Sequence, residues 1–224
     1  MNNLYINKVY QNEGNDSVLK LISKNAIDIL DIGCGAGDIA RKIKTNNNNI
    51  IGFTLSEDEK VIAEKYCDKV ILADVEIYNL NLIGCYFDVI IMSHVCEHLV
   101  SPTKVLNNLS KLLKDEGELI IAVPNMSFYK NRTKILKGDW TMNEYGPFDK
   151  THLHFYDYNS IVAIFDSKNY KIKQKIVTDF AFPLWPLRLI FKELCKKIDV
   201  FIGKKFPNLF GQQVILVLKK NEHV

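Results

Sequence analysis

An apolar run ending in three glycines at alternate positions, Ile29-Leu30-Asp31-Ile32-Gly33-Cys34-Gly35-Ala36-Gly37-Asp38, constrains this chain more than any other stretch. Ile27 to Ile32 is short and β-branched, broken only by acids, and so predicts a buried strand. The glycines then let the chain turn sharply into a helix beginning near Ile39. A strand, a bare loop and a helix start form a seat for an anionic or zwitterionic group, because helix-start N–H groups point outward at the loop.

Spacing narrows the choice of ligand. A dinucleotide loop wants Gly-x-Gly-x-x-Gly, and here Asp38 stands where the third glycine of that pattern should fall. A nicotinamide oxidoreductase is therefore only the third reading. A plain glycine turn would explain the loop if it stood alone. The arrangement resembles the first motif of class I S-adenosylmethionine-dependent methyltransferases. That resemblance implies that Asp31 faces the cofactor's amino group, and that Gly33, Gly35 and Gly37 take its carboxypropyl arm.

At 224 residues, 47% apolar and 25% charged, the chain is long enough to bury a large core, and one domain spanning 1–224 suffices. Five cysteines without a Cys-x-x-Cys suggest neither a disulfide framework nor a zinc ribbon. The opening MNNLYINKVYQNEGND lacks a signal-type apolar core, so a cytoplasmic location is expected. The net charge of +3 is local. Pro183 to Pro207 holds six bases and two acids, giving +4 there and −1 elsewhere. No nucleic-acid module accompanies it, so no nucleic-acid partner is expected.

In order, Asp16 to Lys24 predicts a helix capped by Asp16, and Ile50 to Leu55 a second strand. Ser56 and Glu59 have the spacing of a capping box. Sheets of this kind place an acid at the second strand's end for the ribose hydroxyls, and Thr54 stands there instead. The Thr-Leu-Ser at this point also resembles the cyclopropane fatty acid synthase relatives. Val70 to Ala73 ends in Asp74-Val75, where the methyltransferase resemblance implies that Asp74 accepts from the adenine amino group. Its plain alternative is a carboxylate capping a turn.

Phe87 to Met92 predicts the fourth strand, followed by Ser93-His94-Val95-Cys96-Glu97-His98. The string His94-x-x-Glu97-His98 matches that of inverted zinc peptidases. Both histidines would have to share one continuous helix, yet His94 sits just past a buried strand and Ser101-Pro102 opens a new helix. No metal is expected on this ground. With a helix over Thr103–Lys114 and a strand over Glu118–Val123, the block resembles ubiquinone-biosynthesis-like methyltransferases. Matches fall at Phe87, Asp88, Glu97, His98, Leu112, Leu113, Lys114, Gly117, Pro124 and Asn125. Alternating strands and helices predict an α/β, Rossmann-like doubly wound sheet, mostly parallel with an antiparallel last strand. Ligands then sit beyond the strands' carboxyl ends, where Gly33, Thr54, Asp74 and Ser93 converge.

The cofactor half is thus 1–125. Residues 126–158 lose periodicity and predict a substrate lid. Trp140, Gly146, Asp149, Lys150, Thr151, His152 and Phe155 resemble a methyltransferase subgroup of bacterial surface-polysaccharide pathways. That implies O-methylation of a sugar or sugar-linked acceptor. A small-molecule or quinone-type methyltransferase and a non-catalytic binding module stay open beside it. Histidine suits removal of a hydroxyl proton. His152 is the first candidate base, with Asp149 orienting it or binding substrate, and His98 the second. Arg132, Tyr145 and His154 are candidates for the substrate. In an extended Thr151–Tyr156, His152 and His154 would share one face while Leu153 and Phe155 pack on the other. Tyr158–Lys168 predicts a helix, and Tyr170–Val177 and Gln212–Leu218 an antiparallel edge pair. Between them, about 183–207 forms a basic amphipathic insertion that either packs on the domain or rests peripherally on the anionic inner face of a membrane.

Overall fold

The computed structural model describes residues 14–165, 170–178 and 187–221. In chain order the elements open with α1 (Asp16–Leu19), β1 (Asp28–Ile32), α2 (Asp38–Ile43), β2 (Asn49–Thr54), α3 (Glu57–Ala63) and β3 (Lys69–Leu72). β4 (Phe87–Ser93), α4 (Pro102–Ser110), β5 (Leu113–Pro124), α5 (Tyr129–Leu136) and α6 (Tyr158–Phe165) follow. The chain closes with β6 (Tyr170–Thr178), α7 (Leu187–Ile190), α8 (Lys192–Lys205), α9 (Pro207–Phe210) and β7 (Gln213–Lys220).

The seven strands lie in the order β3-β2-β1-β4-β5-β7-β6. β1 to β5 pair in parallel, and β7 runs antiparallel to both β5 and β6. Because each strand alternates its side chains, the sheet feeds two cores. Leu30, Ile32, Ile51, Phe53, Ile90, Met92, Leu119 and Ile121 join Val105, Leu106 and Leu109 of α4 and Ile161 and Phe165 of α6. Ile29, Ile50, Val70, Val89, Ile91 and Ile120 face the other way, onto Val18, Ile39, Ala40 and Ala63. Covering on both sides explains why these strands read as continuous apolar runs. Each fully buried Ile, Leu or Phe contributes about 1.5–3 kcal/mol. Strand order reverses between β1 and β4, which opens a crevice at their carboxyl ends.

The opposite ends of those strands are tied by charge. Lys114 Nζ lies 2.7 Å from Asp28 and 3.0 Å from Asp88, whose Oδ2 also accepts from the backbone N–H groups of Ile27 and Asp28. Lys114 therefore belongs to the start of β5, and the helix expected to reach it stops at Ser110. The cap of α1 is Asn15 and not Asp16; its side chain accepts from Ser17 and Val18 N–H. An eight-residue helix, α5, occupies part of the expected lid, hidden from periodicity by its polar composition. The expected Tyr158–Lys168 helix is present to Phe165, and residues 166–169 lie outside the described residues, as do 179–186 at the start of the basic insertion.

Candidate active site

At the tip of β1 the chain turns through three left-handed glycines, Gly33 (φ 73°), Gly35 (φ 53°) and Gly37 (φ 80°), into α2. A β-carbon at Gly33 would lie 2.5 Å from Val95 Cγ2, and one at Gly37 would lie 3.1 Å from Ala63 Cα. These two glycines are thus required by packing as well as by turning, which the sequence alone did not disclose. Behind them Asp31 is 2% exposed, and its Oδ2 has no hydrogen-bond partner. Burial, with a smaller push from the Asp38 charge, raises its pKa to about 7. A buried carboxylate oxygen without a donor costs free energy until a cation or N–H meets it. The loop and Asp31 therefore fit a ligand carrying an ammonium group.

At the end of β2, Thr54 is buried and donates its hydroxyl to Glu59 Oε2 at 2.6 Å. Ser56 does cap α3 by accepting from Glu59 N, while Ser56 N donates to Thr54 Oγ1 and the Glu59 carboxylate accepts the Thr54 hydroxyl. An acid is thus present at this strand end, delivered by the helix. The signal was in the sequence, five residues beyond Thr54, and the capping pattern concealed it. Asp74, past β3, accepts from Glu76 N through Oδ1 at 2.9 Å, a turn-capping contact. Its neighbour Val75 packs on the core. Ser93, at the end of β4, accepts from Asn15 Nδ2, which also donates to Gln213 on β7. Asn15 had no periodic or motif signal to mark it.

The chain leaves β4 through His94, a non-glycine residue at φ 58°. Its ring spans Glu97 Oε1 (3.2 Å) and Gln213 Oε1 (2.8 Å), and these contacts hold a backbone conformation that costs roughly 1–2 kcal/mol. A 3-10 turn, Cys96–His98, then buries Glu97 and turns His98 toward the lid. Burial would raise the Glu97 pKa, but the His94 hydrogen bond and the His94 and His98 charges hold it below the usual range. Its Oε2 has no hydrogen-bond partner.

The lid docks on this turn through backbone, with Leu153 N and His154 N both donating to Glu97 O. Side-chain alternation over 151–156 is present with its faces exchanged. His152 and His154 turn inward with buried Tyr156, while Leu153 and Phe155 are exposed. The His152 and His98 rings meet edge to face at 4.7 Å. Asp149 meets His152 through backbone, its O accepting from His152 N at 3.1 Å, and its side chain reaches toward the other histidine. It accepts from Thr151 N and Oγ1, and Thr151 Oγ1 lies 3.1 Å from His98 Nδ1, so Asp149 orients His98. His152 Nδ1 instead faces Pro147 O at 3.2 Å. Burial lowers the His152 pKa, against smaller opposing pulls from Glu97 and Asp149.

Arg132 is exposed, with Nε donating to Ser127 O, beside a hollow of about 490 Å³ lined also by Ile135, Phe155, Tyr156, Asp157 and Ser160. Tyr145 is exposed on the lid and does not line that hollow.

A family model described as a methyltransferase domain matches residues 8–175. Among curated relatives, the ubiquinone biosynthesis O-methyltransferase of Coxiella burnetii (strain Dugway 5J108-111) is 25% identical over 121 residues, covering 51% of each chain. The mitochondrial ubiquinone biosynthesis O-methyltransferase of Candida albicans is 28% identical over 128 residues, covering 54% of this chain and 39% of that one. The chain spans about half the length of the first of these. In fold it is similar to a SAM-dependent methyltransferase from Archaeoglobus fulgidus, with TM-score 0.62 and 21% identity over 88% of this chain and 87% of that one. It is similar also to the magnesium protoporphyrin IX methyltransferase of Synechocystis PCC 6803 with bound SAH, with TM-score 0.58 and 14% identity over 92% and 81%.

Proposed function

The chain belongs to the methyltransferase-domain family, and from that premise we propose that it methylates a hydroxyl of a small polar acceptor with S-adenosylmethionine. The carrying observation is the unpartnered, buried Asp31 oxygen behind three left-handed glycines, which suits the ammonium of an amino-acid tail. Glu59, presented by Thr54, takes the ribose hydroxyls in the place where such sheets put an acid. When bound, the cofactor supplies an activated methyl: an acceptor O–C bond forms as the C–S bond breaks, its electron pair going to sulfur. The protein's share is alignment, exclusion of water and removal of one proton.

With Nδ1–H donating to Pro147 O, His152 carries its lone pair on Nε2 and takes that proton. Its lowered pKa keeps it neutral, and so basic, at neutral pH. Arg132 and the hollow beside it receive the acceptor. A sugar or sugar-linked hydroxyl is favoured by the polar groups there, Ser127, Arg132, Asp157 and Ser160, while the curated relatives support a phenolic, quinone-type acceptor as the second reading. A panel of glycosides and catechols, scored by S-adenosylhomocysteine released, discriminates them. Cofactor binding with no release from any acceptor would favour a non-catalytic module.

The basic insertion supports peripheral contact with an anionic membrane. Leu189 and Ile190 are 75% exposed and Phe201 is 71% exposed, on helices carrying Lys192, Lys196, Lys197, Lys204 and Lys205. Among the described residues no helix is long and apolar enough to cross a membrane. Salt-sensitive co-sedimentation with anionic liposomes is expected, and its absence would remove this contact.

A further inference from the structure

We propose that Glu97, His98 and His152 form a three-ligand site for a divalent first-row transition ion of the zinc class. One ligating atom of each residue lies within 4.8 Å of the other two. Zinc–nitrogen and zinc–oxygen bonds of about 2.0–2.2 Å require these atoms to close by roughly 1 Å, a side-chain adjustment.

Three further observations point to a cation. Glu97 is 1% exposed, and while its Oε1 meets His94, its Oε2 is buried with no hydrogen-bond donor. Both imidazoles are engaged at Nδ1, as a metal-binding histidine is at its non-ligating nitrogen. His98 Nδ1 faces Thr151 O and Oγ1, with Asp149 behind Thr151, and His152 Nδ1 faces Pro147 O. These contacts place the lone pairs on Nε2 in both rings. Finally, the ligands come from two separate segments, the turn after β4 and the lid, already joined by backbone hydrogen bonds at Glu97 O.

The set differs from the His94-x-x-Glu97-His98 string of the sequence. His94 is occupied with Gln213 and with the other Glu97 oxygen, and the third ligand comes from 54 residues beyond His98. Two histidines and a carboxylate suit zinc or its neighbours better than magnesium. Three protein ligands leave a position for an acceptor oxygen, as in catalytic sites. The role of His152 as base is that of the metal-free chain; with the ion bound His152 is a ligand, and a hydroxyl bound to the ion would lose its proton to water more readily. This last consequence rests on the proposed methyl transfer; the site itself does not.

The test uses the full chain without a tag, stripped by chelator and titrated with Co²⁺ alone under visible absorption. The expected result is an intense ligand-field band that saturates at one ion per chain and is displaced by Zn²⁺. His152→Ala and Glu97→Gln should each weaken binding at least tenfold. His152 sits on the half-buried lid, so His152→Ala keeps the test decisive if Glu97→Gln fails to fold by circular dichroism. A spectrum no stronger than that of aqueous Co²⁺, or a band unchanged in His152→Ala, overturns the site. Calorimetry of S-adenosylhomocysteine on the stripped protein is read separately, so loss of the metal site and loss of the methyl-transfer reading are distinguishable.

Discussion

Cofactor affinity should depend on pH through Asp31, whose pKa of about 7 is set mainly by burial. The unpartnered Oδ2 meets an ammonium best when the carboxyl is ionised. With that pKa, about a tenth of the apo protein is ionised at pH 6, half at pH 7 and nine-tenths at pH 8. S-adenosylhomocysteine should therefore bind roughly tenfold more tightly at pH 7.5–8 than at pH 6. Above about pH 8 the ligand's own α-amino group, near 7.7–8.0, begins to lose its proton and the gain reverses. The same shift has a stability counterpart. A raised carboxyl pKa means the folded protein holds a proton that the unfolded chain releases near 3.9, so this group's contribution to stability falls from about pH 4 to about pH 7 and is flat above. Isothermal calorimetry at pH 6 and 7.5, in buffers of different ionisation enthalpy, reads both affinity and proton release. Asp31→Asn should flatten the profile and cost about 1.5–3 kcal/mol at pH 7.5, roughly 10–150-fold. Equal affinity at the two pH values, or an Asp31→Asn variant that binds like wild type, would refute the reasoning.

Gly33→Ala places a β-carbon 2.5 Å from Val95 Cγ2 on a left-handed backbone, and should lower stability by about 1–2 kcal/mol in denaturant melts while weakening cofactor binding. His152→Ala should reduce turnover about a hundredfold with little change in cofactor affinity. In wild type the acidic limb of kcat should lie below the ordinary histidine range, because burial lowers this pKa; a limb at or above 6.5 would argue against His152 as base. Lys114→Ala removes a cation shared by Asp28 and Asp88 and should cost about 1 kcal/mol once solvent screening is allowed for, since Lys114 is 37% exposed. That loss should shrink as pH falls through the depressed Asp88 pKa, where the carboxylate is neutralised and the ion pair disappears.

The sheet was legible because its strands are buried on both faces, so that runs such as Ile29–Ile32 and Val89–Met92 carry the signal without help from neighbours. The glycine loop was equally plain, for left-handed backbone at three alternate positions leaves few other residues possible. What the sequence hid depends on contacts between distant segments. Glu59 matched a local capping pattern, yet in the fold it serves Thr54. Asn15 reaches Ser93 and Gln213, 78 and 198 residues away. Thr151 and the Asp149 carboxylate reach His98, 53 residues away from Thr151, because the lid doubles back over the turn after β4. The faces of 151–156 were exchanged for a similar reason: the segment is pinned by backbone bonds from Leu153 N and His154 N to Glu97 O, a contact 56 residues away from Leu153 that the local pattern does not carry.

A crystal structure with S-adenosylhomocysteine bound is the most direct test of the site at the end of β1. The ligand's amino group is expected within hydrogen-bond distance, about 3 Å, of Asp31, with its ribose hydroxyls on the Glu59 carboxylate and its sulfur facing the lid histidines. A ligand seated away from Gly33, Gly35 and Gly37, or one that leaves Asp31 still without a donor, would contradict it.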